Sequence, residues 1–170
     1  MTTCYYDIMP SPVGDLLLVV NDRGDLTQLY TGRSVAPRTE GVQGARNAER
    51  LAAVRKQMGE YFAGTRTVFD LTIAPEGSDF QQQVWASLMQ IPFGETRAYG
   101  QLAAELGVPD AARAVGRANA TNPISIVVPC HRVIGASGAL TGYGGGLPVK
   151  KWLLEFEGAI PRTNQQQFEL

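Results

Sequence analysis

The stretch SDFQQQVWASLMQIPFGETRAYGQLAAELGVPDAARAVGRANA, residues 78–120, holds three segments of helical periodicity separated by two short turns. The spacing predicts a helix over Phe80–Gln90, the turn IPFGET, a second helix from Thr96 or Arg97 to Leu106, and, after GVPD, a third from about Asp110 to Ala120. Ser78 or Asp79 can cap the first of these by accepting from its free N–H groups. Helix, short glycine-containing turn and helix form the outline of a helix-turn-helix. On the third helix Arg113 and Arg117 stand four residues apart on one face, suited to meeting phosphates or entering a groove. Gly116, Ala118 and Ala120 are small enough to let another molecule approach closely. The same small residues suit tight packing of helix on helix, so the pattern alone leaves both readings open.

Downstream, TNPISIVVPCHRVIG carries an apolar run over 124–128 that is predicted as a buried strand. It leads into a tight turn at Cys130, because Pro129 fixes φ and removes a donor where the strand ends. ASGALTGYGGGLP is predicted as a glycine-rich hairpin or wing, and Val149–Gly158 as a last helix. Upstream, SPVGDLLLVVNDRGDLTQLYT reads as two strands around the turn Asn21–Gly24. Residues 31–46, rich in Gly, Arg, Pro and Thr, read as a mobile loop. Residues 47–62 read as a helix carried by Leu51, Val54, Met58, Tyr61 and Phe62, and TVFDLTI alternates like a strand. APEGSD is a turn-rich break. The expected organisation is an α+β N-terminal domain over 1–76 and a mainly helical C-terminal domain over 77–170.

With 44% hydrophobic and 18% charged residues, the chain can bury a real core. No stretch reaches the roughly 18 apolar residues of a membrane span, and MTTCYYDIMPSP lacks a basic segment followed by an apolar one. A soluble, cytoplasmic protein with no membrane partner is expected. Cys4 and Cys130 make no disulfide framework, and a single histidine makes no metal-binding pattern, so neither metal nor cofactor is expected. The net charge of −1 argues against coating nucleic acid by bulk charge. Charge is nonetheless uneven. Between Glu95 and Lys151 the cations Arg97, Arg113, Arg117, Arg132, Lys150 and Lys151 face only Glu95, Glu105 and Asp110.

PCHRVIG, residues 129–135, sets that lone histidine, His131, beside Cys130. A thiol with a free pKa near 8.5 is only a few per cent thiolate at neutral pH, and a neighbouring imidazole can take its proton. The imidazole in turn needs an orienting group, for which LLEFEG offers Glu155 and Glu157. The alternative from these residues is a buried, inert cysteine with a capping histidine.

PCHRV, preceded by NPISIVV and followed by GYGGG and LLEFEG, closely resembles the O6-alkylguanine-DNA alkyltransferases, the methylated-DNA–protein-cysteine methyltransferase family. The resemblance is strong from Asp79 to Gly158 and compatible from Asp7 to Ile73. It implies a ribonuclease-H-like N-terminal domain and a winged helix-turn-helix-like C-terminal one. The implied reaction is direct repair: Cys130 takes the alkyl group from O6 of a guanine rotated out of duplex DNA and keeps it, so each molecule acts once. By the resemblance His131 accepts the thiol proton, Glu157 orients His131, and Asn122 braces the turns around the site. Tyr99 crowds the phosphate beside the target and can donate to the departing base, Tyr143 walls the alkyl pocket, and Arg113 fills the gap in the base stack. Gly116, Ala118, Asn119, Arg132, Val133 and Gly144 are the further residues expected to meet substrate or DNA. Some relatives have serine where Gly144 stands, so only a backbone N–H is offered to O6 there. Zinc-binding members use N-terminal Cys and His ligands, of which this chain has only Cys4. The expected partner is double-stranded DNA carrying O6-alkylguanine, with O4-alkylthymine as a second lesion. A monomer that can cluster along DNA is expected. A non-catalytic helix-turn-helix module and a cysteine hydrolase are the rival classes.

Overall fold

The computed structural model describes residues 3–162, so the TNQQQFEL tail lies outside the described residues. The chain forms two compact units, one of residues 3–76 with Pro123–Val127, the other of Gly77–Asn122 with residues 128–162. The break falls in the turn-rich segment before Ser78, but five residues of the later sequence return to the first unit.

The first unit is built on a four-stranded sheet in the order β3-β2-β1-β4. β1 (Cys4–Met9) pairs antiparallel with β2 (Leu16–Asn21), which pairs antiparallel with β3 (Leu26–Tyr30), and the short β4 (Ala45–Arg46) runs parallel to β1. The turn between β2 and β3 is closed by Asn21, whose Oδ1 accepts from the N–H groups of Arg23 and Asp25, while Gly24 takes φ 87°. β2 is buried at every position, which is why LLLVV reads as a continuous apolar run. Leu17 and Val19 pack with Val35 against Tyr6, Ile8 and Tyr30.

Three sequence expectations change here. The segment 31–46 is not a loop: it holds a 3-10 turn, Gly32–Ser34, and helix α1, Val35–Gly41. Pro37 is admitted in the first turn of α1 because the N–H it lacks has no helical partner there. TVFDLTI forms no strand; it contributes a single bridge, Leu26 with Ile73. The run 124–128 likewise makes one bridge, Ile124 with Leu29, and then turns sharply, with Ile126 at φ 72°. A β-branched residue in the left-handed region is strained, so the apolar run buries itself without extending. Helix α2, Ala52–Phe62, is as expected apart from its later start, with Val54, Met58 and Tyr61 buried.

The second unit holds α3 (Asp79–Leu88), α4 (Tyr99–Glu105), α5 (Ala112–Ala120) and α6 (Leu147–Phe156), with a two-residue parallel pair, β5 (Arg97–Ala98) and β6 (Val133–Ile134). Ser78 caps α3 through a reciprocal box: Gln81 N–H donates to Ser78 Oγ at 3.2 Å and Ser78 N–H to Gln81 Oε1 at 2.8 Å. Val84, Trp85 and Leu88 form the buried stripe of α3, and the Trp85 indole N–H donates to Ala118 O of α5 at 2.8 Å. The glycine-rich segment 135–146 contains no strand, so the expected hairpin is a loop. No described helix is long and apolar enough to cross a membrane.

Candidate active site

Cys130 opens a 3-10 turn, Cys130–Arg132, immediately after Pro129. The turn is closed by Arg132 N–H donating to Pro129 O at 3.0 Å and Cys130 N–H to Val128 O at 2.8 Å. Asn122 secures the approach from inside, its Nδ2 donating to Val128 O at 2.8 Å. Asn122 and Val128 flank the five residues that join the first unit, so this buried bond ties together the points where the chain leaves and re-enters the second. Asn119 on α5 adds a longer contact, Nδ2 to Cys130 O at 3.4 Å.

Behind the cysteine lies a buried charge cluster. His131 is fully buried, and its Nε2 donates to Glu157 Oε2 at 2.9 Å. Arg132 grips the same carboxylate with two donors, Nε to Oε1 at 2.8 Å and Nη2 to Oε2 at 3.0 Å, and its Nη1 donates to Ile91 O at 2.7 Å. Burial alone would raise the Glu157 pKa, but the charges and hydrogen bonds of His131 and Arg132 hold it far below the usual carboxylate range. Burial pushes His131 down; Glu157 opposes, and the charges of Arg132 and Lys150 add to the depression. The lowered value favours the neutral imidazole near pH 7, and in that state Arg132 supplies the charge that holds Glu157 ionised. The His131 Nε2–H is committed to Glu157, and the buried Nδ1 has no hydrogen-bond partner among the described residues. An imidazole that follows a cysteine in the chain, with one nitrogen anchored to a carboxylate and the other carrying a lone pair, has the chemistry of a proton acceptor.

Helix α6 and its C-cap supply Lys150 and Glu157 because Lys150, Leu153 and Leu154 lie buried at helical spacing along α6 and the buried Glu157, the C-cap residue, continues that spacing. Of the two glutamates offered by LLEFEG, it is Glu157 that meets the histidine. Lys150 was a counted charge and nothing more in the sequence; it is fully buried, and its Nζ donates to Val133 O at 2.6 Å and Thr141 O at 2.7 Å. Burial pulls its pKa down to about 8 against the opposing influence of Cys130. The helical spacing of Lys150 and Glu157 is the signal by which a sequence reading finds it.

The remaining expected site residues divide. Tyr99, at the start of α4, is half-buried, and its hydroxyl is 3.0 Å from Thr141 Oγ1. A Cβ at Gly116 would lie 3.8 Å from the Tyr99 ring, so the two sit against each other. On α5 the exposed residues are Arg113, Arg117 and Ala120, with Gly116 partly covered between them. Tyr143 is buried and Gly144 exposed. Four of the residues expected to meet substrate or DNA are buried in the free protein. Ala118 and Asn119 point into the unit, since positions 116, 118 and 120 of a helix cannot share one face. Arg132 is spent on Glu157 and Ile91, and Val133 is fully buried. Among the described residues no group of three or more His, Cys, Asp or Glu side chains is placed to hold a metal ion.

Comparison with known proteins matches residues 79–159 to the family described as 6-O-methylguanine DNA methyltransferase, DNA binding domain, and residues 4–75 to its ribonuclease-like domain. The methylated-DNA–protein-cysteine methyltransferase of Methanosarcina acetivorans is 46% identical over 91% of this chain and 99% of its own length. That of Mycolicibacterium paratuberculosis is 49% identical over 89% of this chain and 91% of its own. Among solved structures, Mycobacterium tuberculosis OGT in complex with DNA superimposes with a TM-score of 0.84 at 46% identity, covering 91% of this chain and 93% of that one. The O6-methylguanine-DNA methyltransferase of Pyrococcus kodakaraensis, at 22% identity and a TM-score of 0.65, shares the fold.

Proposed function

The chain belongs to the 6-O-methylguanine DNA methyltransferase family, and from that premise we propose how its own residues carry out direct repair of alkylated DNA. The protein binds DNA and transfers an alkyl group from it to its own cysteine in a single irreversible turnover. Cys130 is the nucleophile. Its thiol proton passes to His131 Nδ1, the sulfur attacks the alkyl carbon, the bond from that carbon to O6 breaks, and its electron pair returns to the guanine. The imidazolium is stabilised by Glu157, itself held by Arg132. A thioether does not re-ionise, so the site is consumed.

The observation that carries this reading is the bond from His131 Nε2 to Glu157 at 2.9 Å, which leaves Nδ1 of the buried imidazole without a hydrogen-bond partner among the described residues, in the residue that follows the buried Cys130. O6 of guanine is inaccessible to a protein thiol inside the duplex, so the nucleotide is rotated out, at a cost of about a few kcal/mol. Arg113, exposed on α5, enters the vacated stack, and Arg117 meets phosphate. Tyr99 stands by the flipped nucleotide and donates to the departing base, Tyr143 lines the alkyl pocket, and the Gly144 N–H faces O6. The preferred lesion is O6-alkylguanine in duplex DNA, with O4-alkylthymine second. The protein acts as a monomer, in the cytoplasm.

The test is intact-mass analysis after incubation with a duplex carrying one O6-methylguanine. One methyl group is expected per protein, mapped to the peptide containing Cys130. The Cys130→Ser variant is expected to bind the duplex as before and gain no mass. Label taken up elsewhere, or by the Ser variant, would show the nucleophile to be misassigned. Binding without transfer by the unaltered protein would instead favour a lesion-binding module.

A further inference from the structure

The phenol of Tyr99 is held by a residue outside the catalytic cluster. Thr141 Oγ1 lies 3.0 Å from Tyr99 Oη, donating to it. Thr141 is exposed and belongs to the irregular segment 135–146, where a side chain ordinarily keeps no fixed direction. Its backbone, however, is not free: Thr141 O accepts from the ammonium of Lys150 at 2.7 Å, and the same ammonium donates to Val133 O at 2.6 Å. Lys150 is fully buried on α6. A rigid post therefore reaches from the helix that carries Glu157, through a buried cation, to an exposed threonine and on to the tyrosine at the start of α4.

From this chain of contacts we propose that Thr141 is a positioning residue for Tyr99, fixing the direction of its hydroxyl proton during alkyl transfer. The inference rests on the reading of Tyr99 as the group that donates to the departing base. A phenol has one proton and an oxygen that also accepts. When Thr141 donates to that oxygen, the phenolic proton is not used between the two residues and is turned to the flipped base. As the bond from the alkyl carbon to O6 breaks, negative charge moves onto the guanine, and a donor already aimed at it needs no reorganisation.

Single-turnover transfer from a duplex carrying O6-methylguanine, followed over a range of protein concentrations, separates the limiting rate from the half-saturating concentration. Thr141→Val keeps the shape and removes the donor, and at an exposed position leaves the fold intact. It is expected to lower the limiting rate about three- to tenfold, the worth of one ordinary hydrogen bond, with half-saturation little changed. Thr141→Ser is expected to recover most of the rate. In a Tyr99→Phe background, Thr141→Val is expected to have no further effect. A limiting rate for Thr141→Val equal to or above that of the unaltered protein would overturn the inference, since a phenol donating to Thr141 would be released rather than disoriented. So would a full loss persisting in the Tyr99→Phe background, or a loss confined to half-saturation, which marks a plain DNA contact. All these outcomes leave methyl transfer to Cys130 standing in the unaltered protein. Absence of that transfer would overturn the functional reading, and this inference with it.

Discussion

At the scale of single residues, the site is a set of buried charges of which only some have an opposite charge. Glu157 is shared by His131 and Arg132, whereas Lys150 is buried with two carbonyl oxygens and makes no carboxylate contact among the described residues. Carbonyls satisfy its hydrogen bonds but carry no net charge, which is why burial depresses its pKa to about 8. The sign of the consequence follows from proton counting. Between pH about 8 and the ordinary lysine value of 10.5, the unfolded chain keeps the proton that the folded protein has released, so stability rises with pH over that window. Against Lys150→Met, which has no proton to lose, the unaltered protein is expected to gain on the order of 3 kcal/mol between pH 7.5 and 10.5. Urea unfolding of both at several pH values measures the difference, and parallel profiles would contradict a buried cation. Arg132 makes the opposite point. Its charge is no more buried than that of Lys150, but two bonds to Glu157, the carboxylate that also meets His131, balance it.

At the scale of elements, α5 shows how one helix is divided between core and partner. Val115, Ala118 and Asn119 are buried, and Arg113, Arg117 and Ala120 are exposed, with Gly116 where the exposed stripe meets the Tyr99 ring. An added methyl at Gly116 would find ordinary van der Waals contact at 3.8 Å, so the fold tolerates it. Gly116→Ala is expected to stabilise the protein by about 0.5–1 kcal/mol through helix propensity. On the proposed reading, in which α5 meets DNA and Tyr99 stands by the flipped nucleotide, a methyl against the Tyr99 ring crowds that face, so transfer from duplex O6-methylguanine is expected to slow while reaction with free O6-benzylguanine is unchanged. Thermal melting with the two rates checks this; an equal change on both substrates relative to the unaltered protein would remove Gly116 from the DNA face. Arg113→Ala is expected to show the same asymmetry, without the gain in stability. The helices were legible because their apolar stripes and the Ser78–Gln81 box are local features. The run 124–128 and TVFDLTI were not, since β-forming residues are equally suited to single bridges in an irregular buried segment.

At the scale of the whole molecule, each unit contains a carboxylate held ionised by cations. In the first, Asp7 is 4% exposed and accepts from Arg46 Nε at 2.9 Å and Arg55 Nη1 at 2.8 Å. Burial alone would raise its pKa, but the bonds from Arg46 and the Ile8 N–H and the charges of both arginines bring it below the ordinary value. In the second, Glu157 is depressed more strongly. A depressed carboxylate contributes stability above its unfolded pKa and loses it as pH falls. His131 adds to the loss earlier, because the unfolded chain takes a proton near 6.5 that the folded site resists. Stability is therefore expected to decline from about pH 6.5 and to fall more steeply below about pH 4.5, with Asp7→Asn flattening the lower limb; urea midpoints from pH 7.5 to 3.5 test this. The sequence by itself determined the two-part α+β organisation, the helices around residues 78–120, and the Cys130–His131 pair with a glutamate of LLEFEG as a third group, because caps, periodicity and a cysteine adjoining a histidine are written in neighbouring residues. Only the tertiary structure decided that residues 123–127 return to the first unit, that Arg132 belongs to Glu157, and that Lys150 secures the Thr141 loop. These are bonds between groups tens of residues apart, and local pattern carries no record of which distant carbonyl or carboxylate a buried cation will find.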